Sequence, residues 1–150
     1  KETLLETTVD EWEYVMKTNA SAVFFIMQAA VKYMLNNNIR GNIVNVTSVA
    51  GYEPVRGAYG ASKSTVTCLT RGWGNMFAKD GITINGIAPG PVATEMNNWH
   101  EGDPIEHSRI PFGRFTTVEE VAGLAMYLLS KEAEMVCGET VVLDGAYSIR

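Results

Sequence analysis

Cysteine is scarce in this chain: Cys68 and Cys137 are the only two in 150 residues. They have no metal-ligand spacing and form no framework, which argues against a zinc module or a disulfide-stapled scaffold. Both read as buried thiols acting as small hydrophobes in a reducing setting. Basic runs are absent too. The formal net charge is −5, and without clustered Lys and Arg the chain offers no nucleic-acid surface. The apolar run Ala22–Met27 stops at Gln28, far short of the roughly 20 residues a membrane helix needs. The opening stretch, KETLLETTVDEW, is polar and has no signal-peptide core, so the expected location is the cytoplasm. No linker, repeat or low-complexity segment divides the chain.

What remains is a length of about one domain, able to bury roughly 70% of its unfolded surface. A long helix is expected from Thr8, where TVDE fits a capping box closed by Glu11. Its apolar residues recur at helical spacing through Trp12, Val15, Met16, Val23, Ile26, Met27, Ala30, Val31, Met34 and Leu35. The helix is expected to end near Asn36–Asn38. NIVNVTS (42–48) reads as a buried strand, and a helix follows over about 58–79. GITINGIAPG (81–90) reads as a second strand running into a Pro-Gly turn, and residues 95–108 as a loop or short helices. TTVEEVAGLAMYLLS (116–130) repeats the capping signal at Thr116/Thr117 with Glu119/Glu120. ETVVLDG (139–145) is the third strand. Strands separated by helices of this length imply βαβ crossovers and a parallel sheet with helices on both faces.

In such sheets ligands sit beyond the carboxyl ends of the strands. Two ends are legible, at Thr47–Ser48 and at Ala88–Pro89–Gly90. The helix after the first carries Tyr59 and Lys63, four residues apart and therefore on one face. A free tyrosine titrates near pH 10, and a neighbouring ammonium favours the phenolate, bringing it into range for proton transfer at neutrality. A strand-end serine can hold a carbonyl or alcohol oxygen in line with that phenol. Asn19 sits in the apolar stripe of the first helix, where its amide must find a partner. It either caps a helix irregularity or belongs to the same site. Tyr127 and Lys131 repeat the spacing at a helix C-terminus without the serine or the glycine loop. They read as a packing residue and a helix-dipole partner.

Ser48, the run Tyr59-Gly-Ala-Ser-Lys63 and the turn NGIAPGPVAT (85–94) resemble the short-chain dehydrogenase/reductase pattern. GNIVNVTSVAG, IPFGRFTTVEEVAGLAMYLLS and GETVVLDGAYSIR extend the resemblance along the whole chain. It implies a Rossmann-like, doubly wound α/β fold and an NAD(P)-dependent oxidoreductase interconverting a secondary alcohol and a ketone, of 3-oxoacyl, sugar or steroid type. It also implies a homo-oligomer, a dimer or tetramer. Tyr59 would be the acid/base, and Lys63 would tune it and bind the nicotinamide ribose. Ser48 would position the substrate oxygen, and Asn19 would hold a relay water. Pro89, Gly90, Val92 and Thr94 would flank the nicotinamide of NAD or NADP, with Val92 meeting its carboxamide through the backbone. No metal is implied.

Two departures stand out. The Ser48-to-Tyr59 interval is a couple of residues shorter than usual in that family, so Thr47 stays open as a partner of the serine. No GxGxxG or GxxxGxG follows a strand, and such a turn is what cradles a dinucleotide pyrophosphate. The chain therefore reads as the C-terminal portion of a single domain, with about three strands and their flanking helices. The other reading is a non-catalytic remnant acting as a binding or scaffold protein. Tyr52, Met96 and Trp99 are either pocket walls or packing residues, and His100 and His107 read as solvated. Gly72 and Gly74 either admit a neighbouring helix at a subunit interface or are locally tolerated.

Overall fold

The computed structural model describes residues 4–149. Three parallel strands, β1 (Asn42–Val46), β2 (Thr83–Pro89) and β3 (Thr140–Leu143), pair in the order β1-β2-β3. Asn42 lies opposite Thr83, and Gly86 opposite Thr140. The helices are α1 (Val9–Met16), α2 (Ala22–Asn36), α3 (Ala58–Phe77) and α4 (Val118–Leu128). β2 is central, and its residues Thr83–Ala88 are all buried, so both faces are covered and no apolar–polar alternation marks it. One core packs Met27 and Val31 of α2 against Ile82 and Ile84, with Leu69, Trp73 and Phe77 of α3 closing it.

The first expected helix is two helices joined by a π-helical turn, Lys17–Ser21, with Asn19 at its centre. The extra residue in that turn shifts the face that α1 presents. Asn19 is drawn toward α3, where its Nδ2 donates to Ser62 Oγ at 3.2 Å. Its partner is therefore a wholly buried hydroxyl. The capping boxes form at Thr8/Glu11 and Thr117/Glu120.

Other expectations change. Cys68 is exposed, and Cys137 is half-buried with its thiol donating to Gly74 O at 3.3 Å. Tyr127 does not pack inward but is 47% exposed. Much of the apolar stripe on the first helix faces outward, including Trp12 and Ile26. Gly74 is explained within this fold: a Cβ there would lie 2.5 Å from Gly138 Cα, so α3 meets the approach to β3 backbone to backbone. Gly72 has open space around it.

Candidate active site

The carboxyl ends of β1 and β2 open into one cavity of about 340 Å³, within the size range of small-molecule sites. Ser48, Tyr59, Lys63, Pro89, Gly90, Val92 and Thr94 all line it, joined by Val46, Thr47, Met96, Asn97, Val118 and Val121. Residues 41 positions apart and more thus converge because two parallel strands end side by side and α3 starts just beyond them.

Ser48 takes an extended backbone and caps the short turn Val49–Gly51, its Oγ accepting from Ala50 N at 3.2 Å. That bond uses a lone pair and leaves the hydroxyl hydrogen available. Thr47 is different. It is buried, and its hydroxyl donates to Ile87 O at 3.1 Å, which ties β1 to β2. The strand-end hydroxyl with a free hydrogen is that of Ser48.

Lys63 Nζ sits 5.6 Å from the centroid of the Tyr59 ring. It donates to Val46 O at 3.1 Å. An ammonium has three N–H groups, and the described residues take only this one. Partial burial holds the Lys63 pKa below its ordinary value, because desolvation disfavours the charged form. Tyr59 remains 39% exposed, open to the cavity.

Asn19 is not among the cavity-lining residues. Its link to the site is indirect: Ser62 accepts from Asn19 and donates to Tyr59 O at 2.7 Å. The π turn and the first turn of α3 are thereby stapled together. Ser62 lay unremarked inside the run YGASK, and only its burial reveals it.

The Val92 side of the cavity is tied to the segment leading into α4. Val92 forms a parallel bridge with Thr116, through Ala93 N to Thr116 O at 2.9 Å and Thr116 N to Pro91 O at 3.1 Å. Thr116 is fixed in turn by the segment leading into α4, where Arg114 grips Glu120 at 2.7 Å and Glu120 caps Thr117 N. Arg114, with its own bond to Glu120 as first cause and the Thr117 amide as second, holds the Glu120 carboxyl down at about 2.

Of the residues left open by the sequence, Met96 lines the cavity and is 85% exposed. Tyr52 instead donates to Thr140 O at 3.1 Å, bracing the loop after β1. Trp99 donates to Pro104 O at 3.2 Å within its own loop. His107 accepts from Arg109 N through Nδ1 and lies edge-on to Phe115, while His100 is exposed. Sequence reasoning missed Val118 and Val121 as cavity residues, because both match the helical apolar face of α4. No group of three or more His, Cys, Asp or Glu side chains is placed to hold a metal ion among the described residues. No described helix is long and apolar enough to cross a membrane.

The chain as a whole is similar to known proteins. The profile of the enoyl-(acyl carrier protein) reductase family matches residues 1–148. Glucose 1-dehydrogenase 2 of Bacillus subtilis is 35% identical over 96% of this chain and 58% of its own length. Gluconate 5-dehydrogenase of Gluconobacter oxydans is 36% identical over 97% of the chain and 59% of its own length. The chain thus spans about three-fifths of the curated relatives it matches. The solved structure of 4-hydroxyisoleucine dehydrogenase complexed with NADH superposes with a TM-score of 0.89 at 28% identity, over 98% of this chain and 63% of that one. The fold is that of the Rossmann-type dehydrogenases, and the chain belongs to the short-chain dehydrogenase/reductase family.

Proposed function

We propose that the protein containing this chain is an NAD(P)-dependent oxidoreductase that interconverts a secondary alcohol and a ketone. One observation carries the reading: Ser48, Tyr59 and Lys63 line the same cavity as Pro89, Gly90, Val92 and Thr94. The relatives are named as dehydrogenases, and one solved neighbour carries NADH. On this reading the 150 residues form the C-terminal portion of a single dinucleotide-binding domain.

The cavity fits the nicotinamide riboside end of such a cofactor. Valine and proline side chains give it apolar walls, and the Lys63 ammonium has N–H groups to spare for ribose hydroxyls. The nicotinamide ring, when bound, supplies the hydride acceptor and donor. The chain's own residues handle the proton. Ser48 donates its free hydroxyl hydrogen to the substrate oxygen and holds it toward Tyr59. The phenol of Tyr59 takes the alcohol proton in oxidation and returns it in reduction. The ammonium of Lys63, 5.6 Å from the centre of the Tyr59 ring, places a positive charge beside it. Asn19 acts by keeping the Tyr59 turn in place through Ser62. Fixed orientation of substrate oxygen, phenol and ammonium supplies a large part of the rate enhancement.

Phe25, Ile26 and Tyr33 leave a broad apolar area of α2 exposed. It supports a homo-oligomer, a dimer or tetramer, with the helix face as the contact. The test of the main reading is Tyr59→Phe in the intact protein. Dinucleotide affinity should stay within a few-fold, and turnover should fall by at least the roughly 10²–10⁴-fold that a positioned acid/base contributes. Wild-type turnover in the variant would overturn the assignment. Failure of the wild type to bind NADH or NADPH would instead favour a non-catalytic binding protein.

A further inference from the structure

The carbonyl of Val92 is already occupied. Asn97 Nδ2 donates to it at 2.8 Å, and Thr94 Oγ1 reaches it at 3.4 Å. A carbonyl oxygen has two lone pairs, so its accepting capacity is filled by the protein itself. Val92 cannot move to escape this, because the bridge to Thr116 pins it to the stem of α4. Asn97 can move. It is exposed, at the end of the short turn Glu95–Asn97, and the next residue, Asn98, has a left-handed backbone with φ 56°. Within that turn the backbone bonds back to Thr94 O, from Asn97 N at 2.9 Å and Trp99 N at 3.1 Å. The Asn97 side chain is thus a tie between an exposed turn and the fixed wall of the cavity.

The tie is made by a primary carboxamide. A nicotinamide ring carries the same group, with the same pair of N–H donors. We infer that Asn97 is an internal stand-in for the carboxamide of the cofactor: it latches the Glu95–Asn97 turn to Val92 O until the ligand's amide takes that oxygen. This rests on the reading of the cavity as a nicotinamide site and adds the device that regulates entry to it. Exchange of one amide for another balances donors and acceptors at Val92, so its carbonyl keeps a donor throughout. Because latch and ligand compete for one acceptor, the latched population lowers the apparent affinity for cofactor. Ligand binding must, by the same coupling, free the turn.

Asn97→Ala and Asn97→Asp both remove the donor and leave the fold's interior untouched. In the intact protein, each should bind NAD or NADP, whichever the wild type takes, roughly three- to tenfold more tightly, the range one neutral hydrogen bond supports. The discriminating probe is the 3-acetylpyridine analogue of the same dinucleotide, whose acetyl group has no N–H. Its affinity should be the same in wild type and variants. Amide hydrogen exchange across residues 95–99 should be faster in ligand-free Asn97→Ala than in ligand-free wild type, and should rise in the wild type when the dinucleotide binds. Unchanged dinucleotide affinity in both variants, or an equal gain for the acetylpyridine analogue, would overturn the latch while leaving the dehydrogenase reading intact. A wild type that binds no dinucleotide at all overturns both.

Discussion

A single residue near the C-terminus shows how local backbone chemistry departs from what its side chain prefers. Ala146 has φ 67°, a left-handed conformation in which an L side chain crowds the following carbonyl. The strain is maintained by Asp144, a buried carboxylate at the end of β3 that accepts from Ala146 N at 2.9 Å and from Ser148 N at 2.8 Å. Glycine meets no penalty in that conformation. Ala146→Gly should therefore raise stability by about 1 kcal/mol, offset in part by the extra freedom of the unfolded chain. Urea denaturation with an unchanged slope is the measurement; a loss of stability would mean that Ala146 packs in a way its exposure does not suggest.

Elements carry their own tests, and α3 contains a matched pair. Gly74 and Gly72 look alike in RGWGNMF, yet a Cβ at Gly74 would meet Gly138 Cα at 2.5 Å while Gly72 has nothing within 4 Å. Gly74→Ala has to push backbone from backbone and should cost roughly 1–3 kcal/mol. Gly72→Ala should gain about 0.5–1 kcal/mol from helix propensity. Thermal melts of the two variants, run side by side, should move in opposite directions. Nothing in the sequence separates these glycines, since the neighbour that matters lies 64 positions away. Strands and helix caps are legible for the opposite reason. β2 alternates nothing because both faces are covered, and Thr8/Glu11 and Thr117/Glu120 close boxes that involve only three residues of separation. The π turn was not legible: Asn19 announced a polar anomaly, but its partner Ser62 sits on another helix.

For the whole molecule, the candidate site depends on long-range ties that sequence periodicity does not encode. Val118 and Val121 obey helical spacing whether they face a core or a cavity, so only the folded arrangement assigns them. Ser48, Tyr59 and Lys63 could be placed in advance because a strand end and the first turns of a helix fix their relative positions locally. A local tie beside the site also bears on the acid behaviour of the fold. Glu120 has its pKa lowered to about 2 by Arg114 and by the Thr117 amide. A carboxylate depressed in the folded state stabilises the protein above its ordinary pKa near 4.5, and that stability is lost as the pH falls toward 2. Arg114 and Glu120 are about a third exposed, with relative side-chain accessibilities of 32% and 39%, so solvent screening keeps the effect modest. Glu120→Gln should flatten the decline of melting temperature between pH 4.5 and 2. An identical decline in wild type and variant would show that this pair does not contribute.

The extra residue in Lys17–Ser21 works as a phase shift between two threads of one screw. In a regular helix each residue advances the face by about 100°, so removing one would turn Trp12 and its neighbours by that angle relative to Met27 and Val31. With the insertion, α2 keeps its register on the core while α1 keeps a separate register against the mouth of α3. The two halves are therefore free to vary independently: substitutions around Trp12 need not disturb the packing beneath Val31.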